Sequence, residues 1–342
     1  MKVLVTGASG YIGSILVPKL LNLNHEIVAV DRYFFGDYLP NNKRLKKVRV
    51  DSRDLNNSHF KNVEAVIDLV AISNDPSGEF FQDATYEINY ESRVKTAKLA
   101  KKNNVRRYIL PSSCSIYGFQ EEGHIAHEDS KTKPLTTYAK ANEMAEKEIL
   151  PLADDNFIVT VLRQSTVYGF SPRMRFDLAI NGMTYGAWKN RKLPLMRDGK
   201  QWRPMIHIKD TCDAQIFMLS QDGSKINGEV FNTGSPENVY QLGNLSEIVA
   251  KTVGEDVEIE WYGDKDIRSY NVSFDKIEKL GFKAKYSAQD GVIEILDRLN
   301  DGSLDKTIKT ITLDWYKKIS YWHELIKEIE IDDLMINRWK WR

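Results

Sequence analysis

Residues 6–13 read TGASGYIG, and they stand between the apolar run KVLVT and a segment with helical periodicity that begins near Tyr11. The glycines of this stretch are Gly7, Gly10 and Gly13. The first permits a tight turn, the second lets backbone amides approach a bound group, and the third allows the helix to pack closely on the strand. The stretch therefore predicts a strand–turn–helix unit at the start of an α/β domain.

Short apolar runs alternate with helical segments through the first half of the chain. Further strands are predicted at EIVAVD, KKVRVD, EAVIDLVA, VRRYILPSS and FIVTVLR, and helices at about 85–102 and around Tyr138. Strands that are separated by helical crossovers form parallel sheets. Runs that are apolar on both faces indicate that helices cover both sides. The sequence thus predicts a Rossmann-type, doubly wound parallel sheet of the α/β class.

The pattern becomes less regular after the sixth predicted strand. We expect residues 1–169 to form the doubly wound domain, with a return to the sheet at 206–233. Residues 170–205 and 234–300 are expected to form a smaller, mixed α/β substrate lobe. The last segment, 301–342, is rich in aromatic residues and has a helical pattern. It is predicted to be a helical extension that packs on the body or on a partner subunit.

Composition argues against several classes of protein. Lys plus Arg and Asp plus Glu both number 48, so no net field points to nucleic acid or to an anionic membrane. The cysteines, Cys114 and Cys212, lie far apart, which argues against a disulfide scaffold and against a metal site. The apolar run Leu16–Leu23 is too short to span a membrane. We expect a cytoplasmic protein that holds no metal.

Asp31 ends the second predicted strand, eighteen residues after Gly13. A carboxylate at this place can accept hydrogen bonds from both ribose hydroxyls of an adenosine, and it repels a 2′-phosphate. Together with the glycine loop, which includes Tyr11 and Ile12, it predicts a site for NAD. Arg32 could instead stack on adenine or bind a 2′-phosphate, but NAD remains the expected cofactor.

Further cofactor contacts are expected at the ends of the next two strands. Asp51 and Ser52 follow the third strand, where an acidic side chain can meet the adenine amino group. Leu69 and Ala71 follow the fourth strand and are expected to line the path of the cofactor.

Taken together, these stretches resemble the extended short-chain dehydrogenase/reductases, in particular the NAD-dependent nucleotide-sugar epimerase/dehydratase group. The resemblance covers about residues 1–300 and rests on the order and spacing of TGASGYIG, Asp31, YEINYESRVKTAKLAKKNNVRRYILPSSCSIYG, TTYAKANEMAE, LRQSTVYG, RPMIHIKD and RSYNVSFDKIEKLGF. It implies an enzyme that uses NAD and acts on a nucleotide-diphosphate sugar.

The resemblance implies roles for residues near the reacting sugar. Ser113, four residues before the tyrosine of the IYG triplet, matches the Ser/Thr that hydrogen-bonds the reacting hydroxyl. Tyr138 matches the tyrosine of the family's Y-x-x-x-K motif, which is the catalytic acid/base. Asn89 matches an asparagine that supports the cofactor site.

The resemblance also implies a set of substrate contacts in the smaller lobe. Arg203 and Arg268 match two arginines that bind the substrate diphosphate, for which the planar guanidinium is well suited. Thr166 stands where the family usually has an asparagine that contacts the substrate, and Asn181 is expected to add a hydrogen bond.

Departures from the family pattern bear on the reaction. Asn142 occupies the position of the lysine that normally holds the nicotinamide ribose and lowers the pKa of the tyrosine. We expect Asn142 to face the ribose and to bind it without supplying a charge, while Lys140 points nearly the opposite way on the helix. Dehydrating members usually place Asp-Glu after the Ser/Thr, whereas Cys114 and Ser115 follow here, which disfavours a dehydratase.

These observations favour an NAD-dependent epimerase that works through a transient keto intermediate. The alternatives are a one-way reductase of a keto-sugar nucleotide and, because of Asn142, a catalytically weak NAD- or sugar-nucleotide-binding protein. The resemblance also implies a homodimer, formed by the helix after the fourth strand and the helix that bears Tyr138. Apolar residues available there are Ile88, Val94, Ala97, Leu99, Met144 and Ile149.

Overall fold

The computed structural model describes residues 1–121, 123–196, 198–264 and 269–329. Its strands are β1 (Lys2–Thr6), β2 (Glu26–Asp31), β3 (Leu45–Arg49), β4 (Ala65–Asp68), β5 (Arg107–Ser113), β6 (Ile125–Ala126), β7 (Ile158–Gln164), β8 (Thr166–Tyr168), β9 (Lys192–Met196), β10 (Trp202–His207), β11 (Glu229–Thr233), β12 (Val239–Gln241), β13 (Glu258–Tyr262) and β14 (Asn271–Val272). Its α-helices are α1 (Gly13–Asn22), α2 (Asp75–Phe80), α3 (Gln82–Tyr86), α4 (Ser92–Lys102), α5 (Thr137–Ile149), α6 (Ala179–Asn190), α7 (Ile208–Ser220), α8 (Gly223–Ile226), α9 (Leu242–Val253), α10 (Asp275–Leu280), α11 (Ala288–Asn300) and α12 (Thr312–Ile329).

The main sheet consists of seven parallel strands in the order β11–β7–β5–β4–β1–β2–β3. Its central strands are apolar on both faces and fully buried, as at Val3, Leu4 and Val5. Such strands require cover on both sides, and helices provide it. The predicted doubly wound parallel sheet is confirmed, and the six strands read from the sequence lie in it.

In the described part of the chain, three small sheets accompany the main one. They pair β8, β10 and β12, then β9 with β13, and β6 with β14. Residues 206–233 were expected to return to the main sheet. Strand β11 lies in that sheet, whereas β10 pairs with β8 and β12 in a small sheet. The division of the chain into domains stays a prediction.

The helix predicted at about 85–102 contains a π-helical turn, Glu87–Glu91, between α3 and α4. This turn carries Asn89, which is fully buried. Its amide accepts a hydrogen bond from the Ile72 backbone N–H at 2.8 Å and donates one to the Ile72 carbonyl at 2.9 Å. Single π-helical turns inside α-helices are frequent at functional sites. Here the turn fixes the loop that follows β4.

The C-terminal segment packs on the body of the protein as far as it is described. Trp315, in α12, is buried, and its indole N–H donates to the carbonyl of Phe34 at 2.7 Å. Residues 330–342 of the predicted extension lie outside the described residues. Among the helices that are described, none has the length and hydropathy that crossing a membrane requires.

Candidate functional site

A cavity of about 770 Å³ runs along the carboxyl ends of the main strands, where ligands of open α/β sheets bind. It brings together most of the residues that were expected to bind cofactor or substrate: Gly7, Gly10, Tyr11, Ile12, Gly13, Asp31, Arg32, Asp51, Ser52, Leu69, Ala71, Ser113, Tyr138, Thr166 and Arg203. Three expected residues, Asn89, Asn142 and Asn181, are fully or almost fully buried and are not among the described residues that line it. Arg268 lies outside the described residues.

The glycine loop has a shape that other residues cannot adopt. Gly7 has a φ of +60°, and a Cβ there would lie 3.0 Å from the Leu69 backbone. A Cβ on Gly13 would lie only 2.4 Å from the Ala8 carbonyl oxygen. The loop therefore forms a tight, backbone-lined turn at the start of α1, and such a turn is suited to bind a phosphate of a dinucleotide.

Asp31 is held in a fixed orientation beside this loop. Its carboxylate accepts hydrogen bonds from the backbone N–H of Ser9 at 2.9 Å and of Tyr33 at 2.6 Å. Burial raises the pKa of Asp31, and these hydrogen bonds oppose the shift. A preorganised carboxylate at the end of β2 fits the expected contact with ribose hydroxyls.

Asp51 lines the cavity, but arginines occupy its carboxylate. Arg32 contacts it at 2.8 Å and Arg53 at 2.9 Å. The hydrogen bond from Arg53 lowers the pKa of Asp51 to about 2. Arg32 also lies over the ring of Phe34, with 4.7 Å between the guanidinium carbon and the ring centroid. Arg32 and Asp51, which both line the cavity, are thus held in place by their ion pair.

Ser113 and Tyr138 meet in the middle of the cavity. Ser113 ends β5, and its hydroxyl accepts a hydrogen bond from the Ser115 N–H at 3.1 Å. Tyr138 lies in the first turn of α5, whose N-terminus is capped by the Thr136 hydroxyl. Burial and the charge of Asp75 raise the pKa of Tyr138, whereas a hydrogen bond with Ser113 and the charges of Arg93 and Arg175 lower it.

Asn142 lies one turn along α5, and its side chain is bound by the protein and does not line the cavity. Its expected contact with the cofactor ribose stays a prediction. Its Nδ2 donates to the carbonyl of Tyr138 at 2.9 Å, and its Oδ1 accepts a hydrogen bond from Nη1 of Arg93 at 3.0 Å. The side chain is 1 % exposed. Both the oxygen and the nitrogen of the amide are therefore bound by the protein, the oxygen by a buried arginine of α4. Lys140 is exposed, as its helical position predicts.

Arg93 is itself buried, with 1 % of its surface exposed. Its Nη2 donates to the carbonyls of Asp68 and Pro111 at 2.8 and 2.5 Å. Its Nε lies 3.7 Å from the Asp68 carboxylate. The site thus contains a guanidinium behind the helix that carries Tyr138. No feature of the sequence singled out Arg93, because its role depends on segments that are far away in the chain.

The amide of Asn181 is satisfied within the protein, and its expected hydrogen bond to the substrate stays a prediction. Its Oδ1 accepts from the Gly169 N–H at 2.9 Å, and its Nδ2 donates to the Tyr11 hydroxyl at 3.0 Å and to the Arg175 carbonyl at 2.9 Å. Tyr11 in turn donates to the Gly169 carbonyl at 2.6 Å. These contacts join the glycine loop to the segment after β8.

Arg203 and Thr166 line the cavity from the small β8–β10–β12 sheet. Arg203 is buried, and its guanidinium carbon lies 5.0 Å from the ring centroid of Tyr270. Their position places a cationic and a hydroxyl group beyond Ser113 and Tyr138, as the expected substrate contacts require.

Several residues that line the cavity were missed by the sequence reading. Arg173, Arg175 and Asp177 come from the segment between β8 and α6, and Tyr316 comes from α12. The arginines in SPRMRFD could have been noticed in the sequence, but no motif indicates that their side chains line the cavity. For Tyr316 no local signal exists, because the helix meets the cavity only after the chain has folded.

Comparison with known proteins gives a consistent result. The model of the NAD dependent epimerase/dehydratase family matches residues 3–234. The chain is 23 % identical to the low-salt glycan biosynthesis protein Agl12 of Haloferax volcanii, over 87 % of this chain and 98 % of that protein. It is 28 % identical to the uncharacterized UDP-glucose epimerase YtcB of Bacillus subtilis, over 72 % of this chain and 81 % of that protein.

Solved structures share the fold over most of the chain. MoeE5 in complex with UDP-glucose and NAD has a TM-score of 0.78 at 26 % identity, covering 89 % of this chain and all of that one. The UDP-glucose 4-epimerase of Thermotoga maritima, solved with UDP-glucose, has a TM-score of 0.80 at 21 % identity. The match covers 89 % of this chain and 100 % of that one. Since the family match spans more than half of the residues, the chain belongs to the NAD-dependent epimerase/dehydratase family of enzymes.

Proposed function

We propose that the protein is an NAD-dependent epimerase that inverts a carbon of a nucleotide-diphosphate sugar through a transient keto intermediate. The observation that carries this proposal is the order of groups along one cavity. The glycine loop follows β1 and Asp31 ends the neighbouring β2, Ser113 ends β5 two strands along the sheet from β1, and Arg203 lies in β10 of the small sheet. This order fits a dinucleotide, a reacting sugar and a diphosphate, in that sequence.

Tyr138 and Ser113 are the groups that move and hold the proton in this proposal. Tyr138 accepts the proton of a ring hydroxyl as that carbon is oxidised and returns it when the keto group is reduced, which is general base and general acid catalysis. Ser113 hydrogen-bonds the same hydroxyl and keeps it in line with Tyr138. Bound NAD supplies the acceptor and donor of the hydride. Gly7, Gly10 and Asp31 are the residues that hold it.

Arg93 supports activity despite the loss of the family lysine. The alternative of a catalytically weak binding protein came from Asn142, which provides no charge. The guanidinium that binds Asn142 lowers the pKa of Tyr138, and Arg175 does so as well. Burial still raises the pKa of Tyr138 overall, and these two charges oppose that rise. The positive charge is thus supplied from α4 and from the segment after β8.

The residues after Ser113 disfavour dehydration. Cys114 is buried, its thiol donates to the Arg163 carbonyl, and burial raises its pKa far above the ordinary value. Ser115 uses its backbone N–H to hold Ser113. Neither side chain is an acid that can expel a hydroxyl group, so the proposed reaction ends with reduction of the keto group.

The substrate class follows from the cationic small-lobe wall and from related complexes. Arg203 lies in the cavity beyond the catalytic pair. A buried guanidinium offers bidentate hydrogen bonds to a phosphate. MoeE5 has been solved with UDP-glucuronic acid and with UDP-glucose, each together with NAD. These points support a nucleotide-diphosphate sugar as the substrate.

The test is a turnover assay over UDP-, GDP- and dTDP-linked hexoses, followed by NMR of the products. We expect one pair of epimers to interconvert from either side, with no stoichiometric consumption of added NADH. A product that forms only while NADH is consumed would identify the one-way reductase instead. Conversion of a sugar to a 6-deoxy-4-keto product would contradict the argument from Cys114 and Ser115.

A further inference from the structure

The segment between β8 and α6 carries a buried arginine whose hydrogen-bonding groups are only partly used. Arg173 is 4 % exposed. Its Nη2 donates to the Thr312 hydroxyl at 3.1 Å, whereas its Nε and Nη1 have no hydrogen-bond partner among the described residues. Its guanidinium carbon lies 3.6 Å from the ring centroid of Phe35. The side chain lines the cavity.

Arg173 forms no ion pair with a carboxylate among the described residues. Arg175, also buried, forms an ion pair with Asp177 at 3.0 Å and donates to Ser73. Asp177 is therefore committed to the second guanidinium. Burial and the charge of Arg175 lower the pKa of Arg173 to about 10. A buried cation without a full set of partners is costly, so the site is built for an anion.

The contacts of Arg173 place it in the part of the cavity that holds the dinucleotide. Phe35, on which it stacks, comes four residues after Asp31 in the chain. Ser171, two residues before Arg173, donates to the carbonyl of Tyr11 in the glycine loop at 2.7 Å. Arg203, which marks the substrate end, contacts Tyr270 in the small lobe instead.

Helix α12 closes this part of the cavity. Its Thr312 accepts the hydrogen bond from Arg173, and its Trp315 binds the Phe34 carbonyl. Its Tyr316 lines the cavity and meets Phe35 edge to face, with the ring centroids 5.4 Å apart. The helix thus ties the loop after β2 to the segment after β8.

We propose that Arg173 binds a phosphate of the bound dinucleotide and that α12 is a roof that holds Arg173 in place and retains the cofactor. The inference rests on the NAD dependence of the family, and it holds whether or not the protein epimerises a sugar. A bound phosphate then accepts hydrogen bonds from the Nε and Nη1 of Arg173, which have no partner among the described residues.

Calorimetric titration of Arg173→Met with NAD, ADP-ribose, NADP and UDP tests the first part. We expect the affinities for NAD and ADP-ribose to fall about 10- to 100-fold, as for a lost charge-assisted contact. UDP binding should change by less than about twofold. A lower affinity for UDP alone would mean that Arg173 binds the substrate. A lower affinity for NADP alone would mean that it binds a 2′-phosphate. Unchanged affinities for all four ligands would mean that Arg173 binds no phosphate. Each of these results overturns the proposal.

Thermal unfolding separates this role from a structural one. Without ligand, Arg173→Met should be at least as stable as the parent protein, because it replaces a poorly paired buried cation by an apolar side chain. With NAD, its gain in Tm should be smaller than that of the parent. Arg298→Met is the matched control, since Arg298 also lies over an aromatic ring, Phe170 at 4.7 Å, but does not line the cavity. A marked loss of ligand-free stability would indicate that Arg173 is structural.

Stopped-flow measurement of NAD release tests whether α12 retains the cofactor. Trp315→Leu combined with Tyr316→Leu should raise the NAD dissociation rate about tenfold, while the ligand-free fold, followed by circular dichroism, stays unchanged. Tyr321→Leu, an exposed residue farther along α12, serves as the control and should leave the rate unchanged. An NAD dissociation rate that is equal in the parent protein and the double variant would contradict the proposal that α12 retains the cofactor.

Discussion

At the scale of single residues, Arg93 and Asn142 form a buried contact next to the helix turn that carries Tyr138. Asn142 lies in the lysine position of the family pattern, and it binds Arg93 and the Tyr138 carbonyl. Arg93 is itself fixed by the Asp68 and Pro111 carbonyls. Burial raises the pKa of Tyr138, and the charges of Arg93, which is buried in α4, and of Arg175, which lines the cavity, both oppose that rise.

The first prediction concerns the pH dependence of turnover in Arg93→Met. Tyr138 acts as a base only when deprotonated, so the rate should rise with pH until its raised pKa is passed. Because the charge of Arg93 lowers that pKa, its loss should shift the rising limb of the profile to higher pH. The measurement is the pH profile of kcat/KM.

Arg93→Lys keeps the charge and is the control for this experiment. Its pH profile should stay close to that of the parent protein even where the melting temperature falls. An equal shift in the Met and Lys variants would mean that Arg93 acts through structure alone, and the proposed electrostatic role would be wrong.

The second prediction concerns Asn142→Lys, which restores the family residue. Its ammonium group would be buried next to Arg93, so we expect a loss of about 3 kcal/mol or more in the free energy of unfolding. Asn142→Asp should behave in the opposite way, because a carboxylate there pairs with Arg93. Urea unfolding measures both. If Asn142→Lys were as stable as the parent, the contact between Arg93 and Asn142 would not exist in solution.

The residues that the sequence predicted well are those whose place depends on local backbone. The glycine loop, Asp31, Ser113 and Tyr138 follow strand ends and helix starts, and all line the cavity. The asparagines could not be placed this way. Asn142 is bound by a residue 49 positions away, and Asn181 by one 170 positions away. Whether an amide faces a cavity depends on such distant partners.

At the scale of elements, the π-helical turn Glu87–Glu91 connects a helix to the cavity. It directs Asn89 toward the loop after β4, where the amide binds both backbone groups of Ile72. Ile72 and the neighbouring Ala71 line the cavity. Asn89 thus supports the cofactor site by holding the backbone and not by direct contact.

The third prediction concerns Asn89→Ala. It leaves the buried N–H and C=O groups of Ile72 without their partners, which should lower the free energy of unfolding by about 2–4 kcal/mol. The affinity for NAD should fall as well, because the loop loses its support. Chemical unfolding and calorimetry measure the two effects. Asn41→Ala, in an exposed position, should cost less than about 1 kcal/mol. NAD affinity that stays unchanged in Asn89→Ala would separate the loop from cofactor binding.

The elements themselves were largely predictable, while two features were not. The six strands and the first helix follow from apolar runs and helical periodicity. The periodicity of residues 85–102 did not show the π-helical turn, because one extra residue in a turn hardly alters the pattern. The cover that α12 provides also escaped prediction, since it arises from contacts between segments about 280 positions apart.

At the scale of the whole molecule, α4 and α5 are the helices through which the expected homodimer would form. Ala97 and Ile149 are fully buried in the protomer, so they belong to the core. Met144 is 37 % exposed. A surface groove along α4 is lined by Tyr90, Val94 and Leu99 and by the charged residues Glu91, Lys95, Lys98, Lys102 and Glu148. The expected four-helix contact would cover this surface.

The fourth prediction is a homodimer through this surface. Light scattering at micromolar concentration should give twice the protomer mass. Met144→Glu should shift the equilibrium toward monomer by at least about tenfold, because it places a charge in an apolar contact. Met144→Leu should remain dimeric. A monomeric mass for the parent protein would refute the prediction.

The central claim is that Tyr138 is the acid/base of an NAD-dependent epimerase, and Tyr138→Phe tests it most directly. The variant keeps the ring and removes only the hydroxyl, so NAD binding should change little. On the substrate identified in the sugar panel, kcat should fall about 100- to 10,000-fold. Tyr321→Phe, an exposed tyrosine of α12, should retain full activity. If Tyr138→Phe interconverts the epimers at the parental rate, Tyr138 does not carry the proton and the account is contradicted.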